Sequence, residues 1–311
     1  MNINQRAVEL LEENKYDESL KLFKEAVRLS RDIQSLTNLA WIYCHEEDDY
    51  TKALGLLEEA IQMNPSSHFP YNLLGEVYLR LEKWGNARVI LQKAIAINPT
   101  KTAYNNLAVA DYHLGNKEEA EQYFLLGADY SDWAMYSHVK SLIELGRINE
   151  AKSQLNTFSE EADEFVGEVD LADLFVEVGL YEEAVKWFDK GWEIYWKQPN
   201  WISRYVYSLI KLNELTRATE ILYEAINEKV EEIQEAYKED CKEDWSESDK
   251  QEHIEELLDE KKQYEQLLER ISSGYVPIMK FETSIKTECY LFGCKRHNHP
   301  KYQGKNNFTV E

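Results

Sequence analysis

A small residue returns at nearly constant spacing along this chain. Ser19, Ala53, Ala87, Ala120, Ala151, Ala184 and Ala218 are separated by 34, 34, 33, 31, 33 and 34 residues. A period of that length is one helical hairpin, which cannot bury its apolar face alone and must stack on further hairpins. A stack grows in one dimension, so 311 residues need not share a single compact core. Only six prolines and twelve glycines argue against a turn-rich all-β fold, and 43% hydrophobic residues are ample for a continuous core.

The clearest unit runs from Pro70 to Pro99. Tyr71, Leu74, Gly75 and Tyr78 fall on one stripe of a first helix, at i, i+3, i+4 and i+7. Trp84, Ala87, Leu91 and Ala94 form the stripe of a second helix, which ends at Asn98-Pro99 because proline cannot continue the hydrogen-bond ladder. The small Gly75 and Ala87 are expected to let the two backbones approach, with Tyr78, Trp84 and Leu91 filling the gaps.

These positions recur together, and the pattern resembles the tetratricopeptide repeat. The preceding unit shows Leu39, Ala40, Tyr43, Tyr50, Ala53, Leu57, Ala60 and Pro65, with one extra residue in its turn. The following unit shows Tyr104, Leu107, Ala108, Gly115, Ala120, Phe124 and Gly127. Seven units match over roughly residues 2 to 230, the fifth of them short, and several lack the terminal proline. The resemblance implies an all-α fold, a right-handed α-α superhelix whose first helices line a concave face.

Composition changes after the repeats. Residues 228–270 hold 17 acidic and 7 basic residues without proline or glycine. Val230, Ile233 and Tyr237 continue the last second helix, and Ser248 with Gln251 reads as a capping box for another helix. Ile254, Leu257, Leu258, Leu267, Leu268 and Ile271 give that helix an apolar stripe. An acidic hairpin over 231–272, turning at 242–247 and capping the repeats of 1–230, is therefore expected. From 273 to 311 the tail is basic, irregular or β. Ile285, Thr287, Cys289 and Leu291 alternate with Lys286, Glu288, Tyr290 and Phe292 as in a strand. Its charge favours folding back onto the acidic helices or into the groove.

The resemblance also implies which residues meet a ligand. By register these include Trp41, Asn72, Arg80, Asn105, His113, Trp133, Tyr136, Lys140 and Tyr207. Asparagines there would bond a peptide backbone, rigid aromatics would bind at low entropic cost, and Arg80 and Lys140 would pair with a carboxylate. Each aromatic taken alone could equally pack between repeats. The Asn/Lys/Arg clamp of chaperone-tail binders is imitated only in part.

Cys289-x4-Cys294-x2-His297-x-His299 offers two thiolates and two imidazoles, the ligand types of a structural zinc site. The alternative is a reduced cysteine pair beside solvent histidines. Gly-rich phosphate loops, a nucleophile elbow and a His-Glu-x-x-His helix are all missing, so no enzyme is expected.

A formal charge of −23 opposes nucleic acids and anionic membranes and favours a basic protein or peptide partner. No apolar run is long enough to cross a bilayer, the start lacks a secretion signal, and four cysteines are too few for a secreted scaffold. These features point to the cytoplasm. The expected function is a non-enzymatic scaffold or adaptor binding a peptide or protein in its concave groove. A sequestering inhibitor of a basic effector, antitoxin- or immunity-like, and a zinc-stabilised C-terminal module with its own binding role are the alternatives.

Overall fold

The computed structural model describes residues 2–129, 132–241, 245–279 and 281–303. Among them are fifteen helices and no strand. Fourteen helices follow one another in seven consecutive pairs: α1 (Ile3–Glu12) with α2 (Tyr16–Leu29), α3 (Ile33–His45) with α4 (Tyr50–Gln62), and α5 (Phe69–Arg80) with α6 (Trp84–Ile97). Next come α7 (Lys101–His113) with α8 (Lys117–Gly127), and then, consecutive in the chain, α9 (Trp133–Glu144) and α10 (Ile148–Leu155). The last two are α11 (Glu168–Glu177) with α12 (Tyr181–Gly191), and α13 (Pro199–Lys211) with α14 (Leu215–Lys238). A final helix, α15, spans Glu247–Ser272.

The period has a steric cause. Each of the seven small residues is the fourth residue of its hairpin's second helix, and each is fully buried. A larger side chain there would push the partner helix away. Ser19, the one polar member, is satisfied by donating to the Ala7 carbonyl at 2.7 Å.

Five residues before each small residue stands one with positive φ: Asn14, Asp48, Glu82, Gly115, Gly146, Gly179 and Asn213. This left-handed residue ends the first helix and turns the chain back. In six turns a backbone N–H then bonds the carbonyl five residues earlier, as Lys83 does to Tyr78 at 2.8 Å. In the second the bond spans six, from Asp49 N to Tyr43 O at 2.7 Å, which is the extra residue visible in the sequence.

Close approach is sharpest at Gly127 rather than at Gly75. A Cβ on Gly127 would lie 2.7 Å from the Asn105 backbone nitrogen, whereas one on Gly75 would meet the Leu91 side chain.

Backbone contacts gather the chain into two compact units. One comprises the described parts of 1–129, 133–141 and 283–311, and the other 130–132 and 142–282. These boundaries run across the partition drawn from sequence at 230 and 272, because the tail packs with the first hairpins. In the second unit α15 lies against α14 and α13, burying Ile254, Leu257, Tyr264, Leu267 and Ile271. Its N-cap is Ser246, not Ser248. The Ser246 hydroxyl accepts from Asp249 N while the Asp249 carboxylate accepts from Ser246 N, a reciprocal pair that Gln251 does not complete. The turn expected at 242–247 falls partly outside the described residues. Buried Arg204 forms a bidentate pair with Asp173, burial pushing that carboxyl up and the guanidinium pulling it back.

Candidate functional site

In the first unit, the first helices α1, α3, α5 and α7 stand side by side and present polar side chains on one wall. That wall is not open. Residues 283–291 run along it without helix, strand or turn, and 292–298 wind into turns at the α1 end, so the tail lies in the groove and against acidic α1. Among its described residues the tail forms no strand. Tyr290 and Phe292 join the core under α5, while Cys289 and Leu291 face the core formed by α1, α2 and α3. Earlier in the segment the alternation breaks, since Ile285 packs on the same core as Phe292 and Thr287 and Glu288 are exposed. The backbone meets side chains instead of a neighbouring strand.

Those side chains follow the register of the repeat. Gln5, Asn38, Leu73 and Asn106 each lie five residues before the carbonyl that closes their turn, those of Leu10, Tyr43, Tyr78 and Asp111. Asn38 Nδ2 donates to the Phe292 carbonyl at 3.1 Å and its Oδ1 accepts from Phe292 N at 2.8 Å. Asn106 repeats this with Lys286, at 2.8 and 2.9 Å. Gln5 Nε2 donates to the Gly293 carbonyl at 3.4 Å. Where the amide is replaced by Leu73, aromatic packing takes over: Phe69 sits 5.0 Å from the Phe292 ring and 5.7 Å from the Tyr290 ring.

Several residues placed on the inner face by register meet the tail. Trp41 Nε1 donates to the Glu288 carbonyl at 3.3 Å, and Asn105 Nδ2 to the Ser284 carbonyl at 2.8 Å. His113 stacks on Trp84 at 4.0 Å and lies 3.0 Å from the Thr283 hydroxyl. The Asn72 amide is buried without a hydrogen bond of ordinary length among the described residues.

Arg80 does not wait for a ligand carboxylate; its guanidinium lies 3.5 Å from Glu76. Trp133, Tyr136 and Lys140 sit on α9, Tyr136 and Lys140 buried and the Trp133 ring edge-on to Tyr136 at 5.1 Å. Tyr207 belongs to the second unit, with the Lys211 ammonium 5.0 Å over its ring. Of the nine, Trp41, Asn105 and His113 are the ones whose side chains are seen to reach the tail backbone or the Thr283 hydroxyl.

Beneath the tail lies a buried titratable group. Glu76 is fully buried, 3.6 Å from His45 Nε2. Burial raises its carboxyl to about 7 against the pull of Arg80, and burial lowers His45 to about 4.

At the other end of the wall the basic tail meets acidic α1. Lys295 Nζ is 2.8 Å from Glu9, and Glu12 Oε1 accepts from Lys295 N at 2.6 Å and Arg296 N at 3.2 Å. Here Cys289, Cys294 and His297 place their ligand atoms within 4.8 Å of one another. Burial pushes the Cys289 thiol up to about 12. His299 stands apart from this group: its Nδ1 is 3.2 Å from the Leu291 carbonyl and its ring is 4.7 Å from Phe69.

Gln5, Asn38, Asn106 and Glu12 were not singled out from sequence. The signal for the first three was present: an amide at equivalent places in three of the first four repeats.

Among the described residues no helix is long and apolar enough to cross a membrane. Three family profiles described as tetratricopeptide repeat match residues 4–68, 45–107 and 102–126. No curated protein matches. Among solved structures, a tetratricopeptide repeat protein from Parabacteroides merdae is similar at 18% identity and TM-score 0.54, over 84% of this chain and 97% of that one. YrrB, described as a tetratricopeptide protein with an unusual peptide-binding site, is similar at 20% identity and TM-score 0.47, over 55% and 91%. PilW, a type IV pilus biogenesis factor, is similar at 18% identity and TM-score 0.49, over 62% and 91%. Such identities speak for the fold alone.

Proposed function

Because the chain is a tetratricopeptide-repeat protein, we propose that it is a non-enzymatic interaction protein whose first unit recognises extended polypeptide along its inner wall. Residues 283–302 are then the resident ligand. The observation carrying this reading is the pair of amide clamps, Asn38 on Phe292 and Asn106 on Lys286, each taking both the N–H and the C=O of a single ligand residue. Such a clamp reads backbone, and so accepts a chain of another sequence provided it is extended. Side-chain preference would come from the aromatic seat around Phe69 and from Glu9 and Glu12.

A competing partner would therefore present an extended, basic segment with two aromatic residues spaced two apart. It must also displace a segment tethered to the same chain, whose local concentration is in the millimolar range for a flexible link. A cavity of about 570 Å³ beside Phe69, Phe292 and Tyr302 leaves room for such a segment to begin exchange.

The test uses the full chain with a protease site inserted after exposed Ile278. After cleavage, the released C-terminal piece should stay bound through gel filtration. It should exchange with a synthetic 283–303 peptide, and it should be lost from an Asn38→Ala/Asn106→Ala variant. If the piece leaves the parent protein freely, the wall is not a recognition site.

A further inference from the structure

The Cys/His cluster at the end of the tail plays no part in the amide clamps, and its geometry answers a different question. We propose that Cys289, Cys294 and His297 bind one zinc ion, with the Glu12 carboxylate as the fourth ligand, fastening residues 289–297 to the C-terminal end of α1. The proposal stands whether or not the wall accepts foreign polypeptide.

Tetrahedral zinc with Zn–S near 2.3 Å and Zn–N near 2.0 Å sets its donor atoms roughly 3.5–3.8 Å apart. Cys294 Sγ is 3.2 Å from His297 Nδ1 and 3.5 Å from Glu12 Oε1, and the three Cys/His ligand atoms all lie within 4.8 Å of one another. Small movements bring the three Cys/His atoms to coordination distance, and the Glu12 carboxylate, near Cys294 but outside that group of three, must turn toward the other two to complete the set.

The chain is folded to make that approach. Gly293 has φ 85°, and bonds from Cys294 N to Leu291 O, Asn298 N to Lys295 O and His299 N to Cys294 O wind the segment into consecutive turns. Four residues separate the thiols, a spacing that in a straight strand would set them on opposite faces, and the turns bring them together instead. Glu12 is held in place by the Lys295 and Arg296 amides. That is the kind of outer support that fixes metal ligands in other sites. A cavity of about 310 Å³ lined by Glu12, Cys289, Cys294 and His297 provides the space.

Binding converts two thiols to thiolates. Two S–Zn bonds form, two protons leave to solvent, and the imidazole coordinates in its neutral form. Two thiolates and a carboxylate leave one net negative charge on the centre; the Lys295 amide donates to Glu12, and the Arg296 guanidinium lies beside it on the Glu12 carbonyl. Four protein ligands leave no open position, so the ion is structural.

The test is elemental analysis of the full chain, expressed with zinc in the medium and purified with reductant but without chelator. One zinc per chain is expected. Exposed His297→Ala and half-buried Cys289→Ser should each weaken zinc affinity by at least about tenfold, while exposed Cys241→Ser should leave it unchanged. Circular dichroism checks that the variants fold. Cobalt substitution of the parent should give a thiolate-to-cobalt charge-transfer band that disappears in Cys289→Ser. Three results would overturn the proposal: no zinc above background, zinc undiminished in a Cys289→Ser/His297→Ala double variant, or a Cys289–Cys294 disulfide that forms in the presence of zinc and excludes it.

Discussion

Replacing Asn38 with alanine isolates the clamp from the rest of the fold. Asn38 and Phe292 are both buried, so the change strands one backbone N–H and one carbonyl away from water. An unsatisfied buried group costs roughly 1–3 kcal/mol, and some relief from entering water puts the loss at about 2–4 kcal/mol. That free energy holds the tail against the wall, not the hairpins against each other. Amide hydrogen exchange reads it directly: opening of the docked segment should expose the Phe292 N–H about 30- to 1000-fold more often. Amides in the middle of α3 and throughout α13 should keep their parent rates. Two outcomes would refute the reasoning. Phe292 exchange could stay at the parent rate, or α3 could accelerate together with it, which would make Asn38 a general support of the core.

Gly127→Ala would drive a Cβ into the α7 backbone, so thermal unfolding should show a loss of about 1–3 kcal/mol, larger than for Gly55→Ala, where the added carbon meets nothing. Glu82 pays backbone strain at φ 55°, so Glu82→Gly should stabilise by about 1 kcal/mol in denaturant titration, and Gly115→Ala at φ 84° should destabilise. Asp173→Ala leaves Arg204 buried without its partner and should cost about 3–5 kcal/mol by the same titration.

The Glu76–His45 pair predicts opposed pH dependences. Folded Glu76 keeps its proton between about 4.5 and 7 while the unfolded chain has lost it, so its contribution to stability falls as pH rises. Folded His45 stays neutral between about 4 and 6.5 while the unfolded imidazole is protonated, so its contribution grows with pH. Relative to the parent, Glu76→Gln should make stability climb more steeply with pH, and His45→Asn should make it decline. Profiles parallel to the parent in both variants would remove the pair from consideration.

The hairpins were legible in the sequence because their determinants are local. A small residue five positions after a left-handed one needs no distant partner to be recognised, and all seven landed in the same structural place. The tail was legible only in part. Alternation in 285–292 reads as a strand because it suggests two faces in unlike surroundings, and it does not say whether the neighbours are strands or helices. Here only 289–292 divides between two cores, and both are built of helices. Register places Arg80 on the inner face but does not show that Glu76, four residues earlier on the same helix, stands 3.5 Å from its guanidinium. Glu12 could not be read at all, since its role depends on a residue more than 270 positions away. Ser248 with Gln251 reads as a capping box, but the helix starts two residues earlier, where Ser246 and Asp249 exchange the bonds.

A stack of repeats ordinarily needs nothing from far along the chain, and each hairpin can settle against the last as soon as both exist. The first unit here lacks that independence, because its final strip of wall arrives after residue 282. During synthesis the opening four hairpins are made with Asn38, Asn105, Asn106 and Phe69 uncovered, and they stay so while some 150 further residues emerge. A ribosome adding about 5–20 residues per second leaves them bare for roughly 8–30 seconds. Newborn copies therefore pass through a receptive interval that finished ones do not have, and any factor that meets the nascent chain in that interval finds the seat vacant.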